Sequence, residues 1–209
     1  GVPVSWGLLD QADSESLRNP LYVLEAIRRS SEHIALFCNA GSIQLPRRIE
    51  PVYSLLENSV FPIKLPKYAN FHPKLWILKY SQEGHTSYIR LLVMSRNLTF
   101  DSSIDISVAM QGTIGTGENL KHKPLADLLR FVADYAGRKK QSVLALAEDV
   151  MKVSSFIEEN RTFDDYDFFP MGIHEYNGKD SPLLRKKYDL FCVSPFLSDE
   201  KVLEMTPAK

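Results

Sequence analysis

Apolar runs and polar, turn-forming stretches alternate along the chain, and the period of each run predicts its element. Asn19-Pro20 reads as a helix start, with Asn as cap and Pro in the first turn. Leu21, Leu24 and Ile27 follow at helical spacing. His33-Ile34-Ala35-Leu36-Phe37-Cys38 is a continuous apolar run suited to a buried strand, with His33 at its entrance and Gly41-Ser42 closing it. Residues 47–56 read as a short helix despite Pro51, and Val60-Phe61-Pro62-Ile63 as a strand that its proline marks as an edge. The runs Phe71–Leu78 and Val93–Met94 flank a polar segment containing Gly84, the pattern of a hairpin. Trp76 and Leu78 fall on one face of the first run and Leu75 and Ile77 on the other. Such two-sided apolarity predicts a central strand covered on both faces. Another strand follows Asp105, in Ile106-Ser107-Val108-Ala109-Met110.

Beyond Gly112, residues 113–118 read as a plain glycine-containing loop. Pro124 opens a helix with Leu125, Leu128, Leu129, Val132 and Tyr135 on one stripe, and a second amphipathic helix carries Val143, Leu146, Val150, Val153 and Ile157. The basic run Arg138-Lys139-Lys140 between them suits a helix C-terminus complemented by cations, with a phosphate-contacting patch as the alternative. The texture changes over 158–187, where acidic residues interleave with Phe163, Tyr166, Phe168 and Phe169. That stretch reads as an ordered linker whose aromatics dock on the core.

Composition narrows the partners. The 209 residues are 44% hydrophobic and 24% charged, ordinary for a globular protein, and the net charge of −1 argues against a wholesale polyanion binder. Any nucleic-acid surface must be local. Cys38 and Cys192 lie in apolar runs and read as buried free thiols. No Cys/His cluster has zinc spacing, and no phosphate-binding glycine loop occurs, so neither metal nor cofactor is expected. The residues at the start lack the basic and apolar regions of a signal peptide, Gly1 stands where Met is usual and reads as a trimmed or processed end, and no apolar run reaches membrane-spanning length. A cytoplasmic protein without membrane contact is the expectation.

Candidate chemistry lies at the two central runs. In an extended strand His72 and Lys74 share a face, as do Ser95 and Asn97. A hairpin would gather imidazole, ammonium and carboxamide. Such a group suits phosphorus chemistry: imidazole attacks, ammonium and amide hold non-bridging oxygens.

His72-x-Lys74 followed by Ser95-x-Asn97-Leu98-Thr99 resembles the HKD signature of the phospholipase D superfamily. Lys79 stands where that signature has Asp, and Met94 where it has Gly. Tyrosyl-DNA phosphodiesterases and some bacterial phospholipase D-like nucleases also lack the Asp. The family's further acid or amide matches Asp105 best, then Gln111. The resemblance covers roughly residues 20–112 and 188–200, about half the chain. It implies an α/β fold with a mixed sheet sandwiched between helix layers. It also implies a metal-independent phosphodiesterase acting through phosphohistidine, with His72, Lys74, Asn97 and Asp105 catalytic and Ser95, Arg96 and Gln111 binding substrate.

Leu36-Phe37-Cys38 recurs as Leu190-Phe191-Cys192, and the latter resembles the opening of a second family repeat. The expected organisation is a first repeat over 1–157, a linker over 158–187, and the truncated start of a second repeat over 188–209. The family site needs two HxK motifs, and this chain has one. The missing half is expected from a homodimer or from a C-terminal continuation. Nucleic acid is the favoured substrate. A non-catalytic scaffold or half-site module is the alternative, and a phospholipid hydrolase the second.

Overall fold

A computed structural model of the chain describes residues 20–41, 54–67, 69–96, 105–173 and 176–177. Among these the elements are α1 (Pro20–Ser31), β1 (Leu36–Asn39), α2 (Ser54–Glu57), β2 (Val60–Ile63), β3 (Leu75–Tyr80), β4 (Tyr88–Met94) and β5 (Ser107–Thr113). They continue with α3 (Lys123–Ala133), α4 (Lys140–Met151) and β6 (Ile157–Glu158), and single 3-10 turns precede α3 and α4. The protein is thus of mixed α/β content. It divides into two compact units, each assembled from separate stretches of chain.

The first unit comprises the described residues up to 75, together with 94–106 and 132–145. Strands β1 and β2 pair in parallel, Leu36 opposite Val60 and Cys38 opposite Pro62. Backbone bonds extend the ladder at both ends, from Leu36 N to Ser59 O and from Ala40 N to Ile63 O. The proline is tolerated because this sheet has only two strands among the described residues. Phe37 and Phe61 touch across it, ring centroids 5.7 Å apart. Ile63, Val132, Ala133, Ala136 and Val143 are buried here. Helix α1 carries Glu25 bridged to Arg28 and Arg29, both at 2.8 Å, one turn on. Leu21 and Leu24, expected to face a core, are exposed. Cys38 is half-buried and unpaired, and burial pushes its thiol pKa up. Cys192 lies outside the described residues.

Lys139 ties this unit together. Its ammonium is buried and donates to the carbonyls of Ser31 and Ile34 and to Ser59 Oγ. Ser31 ends α1, so the cation sits at a helix C-terminus, where it shares the Ser31 carbonyl with Ser59 Oγ. The basic run was expected to complement the helix before it or a phosphate. Lys139 instead serves a helix more than a hundred residues away in sequence.

The second unit comprises 76–93, 107–131 and the described residues from 146 on. The strand order in the four-stranded antiparallel sheet is β3-β4-β5-β6. The β3–β4 hairpin forms as expected, with Gly84 at positive φ in its turn and Tyr80 stacked on Tyr88 at 4.8 Å. Strand β3 is not central, however. It ends the order, with a neighbour on one side among the described residues. Its two-sided apolar stretch is accordingly only half-buried. In β5, Gly112 is buried where an added Cβ would come within 2.7 Å of Ser155 O, so only glycine allows that approach.

Helix α3 buries Leu125, Leu129 and Val132 as its stripe predicts. Helix α4 is shorter than its apolar period suggests. It stops at Met151; Val153 bridges to Ile114, and Ile157 belongs to β6 with its side chain exposed. The aromatic stretch after β6 docks as expected as far as it is described. Tyr166 stacks on His122, and Phe168 packs against His122 and Phe156. The Tyr166 hydroxyl lies 2.7 Å from His122 Nε2 and accepts from Phe156 N at 2.8 Å. Burial depresses the His122 pKa.

Candidate active site

The HxK segment is positioned by two backbone anchors. At its start, Phe71 N donates to Asn39 Oδ1 at 3.0 Å. Asn39 is the last residue of β1, so the motif is held at the carboxyl end of a parallel pair, where α/β sheets tend to place ligands. At its end, Lys74 O accepts from Met94 N at 2.9 Å. His72 and Lys74 lie on the lead into β3 rather than within the strand, which begins at Leu75.

Between these anchors Lys74 Nζ lies 2.9 Å from His72 Nδ1 and 3.2 Å from His72 Nε2. An ammonium has only donors, so the contact needs a ring nitrogen with a free lone pair. His72 is exposed and Lys74 half-buried, so the ring is reachable from solvent, and its lone pair is free to attack once the ammonium turns to a substrate oxygen.

Next to Met94, Ser95 ties the end of β4 to the start of the following strand. Its N–H donates to Ile106 O at 2.8 Å, and its Oγ accepts from Ile106 N at 3.0 Å. The same hydroxyl donates to the Asp105 carboxylate. Arg96 Nε stands 3.8 Å from the other Asp105 oxygen, with the arginine side chain largely buried. Asp105 is thus held by Ser95 and Arg96. Ser95 uses its hydroxyl donor and one acceptor site to brace the strand ends, and keeps a second acceptor site.

Residues 71–74, 94–96 and 105–106 all belong to the first unit. Gln111 belongs to the second, exposed on β5, where it lines a different groove. Asn97, with Leu98 and Thr99, lies outside the described residues. Sequence reasoning passed over Asn39, whose position just after an apolar run carried no motif, and Lys139, whose neighbours Arg138 and Lys140 made it look like a surface cation. Among the described residues no three His, Cys, Asp or Glu side chains converge as metal ligands would, and no helix is long and apolar enough to cross a membrane.

No protein-family model, no curated protein and no solved structure matches the chain.

Proposed function

We propose that this protein is a phosphodiesterase of the phospholipase D type, acting on nucleic acid through a covalent phosphohistidine without a metal ion. The observation that carries the reading is the His72–Lys74 contact, fixed between backbone anchors at Phe71 and Lys74. The fold expected with it is a sheet sandwiched between helix layers. His72 attacks phosphorus, and the P–O bond to the leaving group breaks. Lys74 then offsets charge on the non-bridging oxygens of the transition state, and Asn97 donates to another of them. Water afterwards displaces the histidine and releases the phosphate. Asp105 and Ser95 keep the end of β4 in place, and Arg96 contributes positive charge. The leaving oxygen needs a proton from a second histidine. Because the chain carries one HxK motif, that group comes from a second copy or from a C-terminal continuation.

The single motif also favours a second reading, a half-site module that is inert by itself. Both are tested with a chromogenic phosphodiester, single-stranded DNA and duplex DNA, each in EDTA, over a range of protein concentrations. Turnover that vanishes in His72→Ala, with acid-labile phosphate trapped on the parent protein, supports the enzyme. Turnover absent at every concentration, with a folded protein, supports the inert module. Cleavage of phospholipid in preference to either nucleic acid overturns the substrate assignment.

A further inference from the structure

The second unit contains an open groove of about 420 Å³ beside β5 and β6. Four charged residues line it: Arg90, Glu158, Glu159 and Arg161. Three of them are already committed. Arg90 Nη2 pairs with Glu159 Oε2 at 3.0 Å. Glu158 accepts from Thr162 N at 2.6 Å and Asn160 N at 3.0 Å, bonds that hold its carboxyl below the ordinary carboxylate range. Only the Arg161 guanidinium has no hydrogen bond or ion pair among the described residues.

Arg161 is also the only non-glycine residue with positive φ among the described residues, at 52°. A side chain there is unfavourable, and glycine or asparagine is the usual occupant. The turn is enforced by Glu158, which binds the N–H groups on both sides and whose carbonyl accepts from Arg161 N at 3.2 Å. The turn thus sets an arginine without a partner among the described residues at the lining of the groove. Gln111 and Thr113, both exposed on β5, add a carboxamide and a hydroxyl to the same lining. Ile157, 59% exposed, adds an apolar surface.

We propose that this groove binds a phosphate of the nucleic-acid strand through the Arg161 guanidinium, with Gln111 and Thr113 as neighbouring donors and Ile157 against a sugar or base. The proposal rests on the function proposed above and names a contact of that substrate outside the catalytic residues. Guanidinium matches phosphate through two parallel N–H···O bonds, and of the two carboxylates in the lining Glu158 is held by backbone N–H groups and Glu159 by Arg90 through one oxygen. With one uncommitted cation, the groove adds a single phosphate contact and a modest gain in affinity.

The test is fluorescence anisotropy with a labelled single-stranded oligonucleotide, using the full chain in a His72→Ala background so that nothing is cleaved. Arg161→Gly removes the guanidinium and relieves the positive φ, so the protein folds at least as well as its parent. Its affinity is expected to fall about three- to tenfold. The slope of log K against log salt should become shallower by about 0.7, the share of one single-strand phosphate. Arg161→Lys should recover part of the affinity. Equal affinity and salt slope in parent and Arg161→Gly overturns the groove, as does oligonucleotide binding too weak to detect in the parent. Diester turnover is measured separately. Turnover that depends on His72, with Arg161 immaterial to binding, sinks the groove and spares the catalytic reading. Binding that depends on Arg161, with no His72-dependent turnover, supports the groove and sinks the catalytic reading.

Discussion

Lys74 Nζ lies 2.9 Å from His72 Nδ1, two residues away along a segment anchored at both ends. The anchors at Phe71 N and Lys74 O hold the backbone on either side of the pair. If this pair does the chemistry, His72→Ala removes turnover almost entirely. Lys74→Ala lowers kcat about a hundredfold or more, as losing one oxyanion donor does elsewhere. EDTA leaves the parent rate unchanged. Initial rates on a chromogenic diester check all three, and an enzyme that dies in EDTA and recovers with magnesium or zinc has a different mechanism.

Asp105 offers a sharper distinction. Its carboxylate is engaged by Ser95 and Arg96 rather than by His72. Asp105→Asn keeps an oxygen for Ser95 and should cost far less activity than His72→Ala. Ser95→Ala removes the hydroxyl that joins Asp105 to Ile106 N and should lower stability by about 1 kcal/mol. Urea unfolding paired with initial rates reads both effects. A loss in Asp105→Asn as deep as in His72→Ala would mean that the carboxylate acts directly on the reaction.

Lys139 makes a prediction about stability alone. Replacing it by Met keeps the apolar stem but strips donors from Ile34 O and Ser59 Oγ, with Ser31 O still bonded by Ser59. Leaving buried acceptors unpaired costs about 1–3 kcal/mol. The urea midpoint should fall with little change in slope. An unchanged midpoint would show that these carbonyls find other donors.

His122 sets an acid-side dependence. Burial holds its folded pKa below the ordinary 6.5, with the nearby Lys121 ammonium acting in the same direction and contacts to the Val150 and Val153 backbone opposing it. Between the two pKa values the unfolded chain binds more protons than the folded one, so stability rises with pH there. The contribution is complete above about pH 6.5 and drains away as pH falls through the lowered folded value. Tm measured from pH 8 downward should decline below that point, and His122→Gln should flatten the His122 share of the decline. Asp165, which pairs with Lys121, and Asp167 remain in the variant as its acid-side background. Identical profiles for parent and variant would remove His122 from the account.

Local pattern determined much of this protein. The α1 start at Pro20, the β1 and β2 runs, the β3–β4 hairpin and the α3 stripe all follow from apolar period and turn chemistry, which act between residues a few positions apart. The same locality made His72-x-Lys74 legible, because two-apart spacing fixes a shared face before any folding. Tertiary structure decided what depends on partners distant in sequence. Sheet order is one such outcome: the two-sided apolar run in β3 reads as central, yet strand pairing left β3 at the end of its order. Asn39 beneath Phe71, Lys139 on the end of α1, and Tyr166 on His122 each join residues dozens of positions apart. A hydrogen bond or a buried cation is chosen by which unsatisfied group it meets, and no periodicity in the chain encodes that meeting.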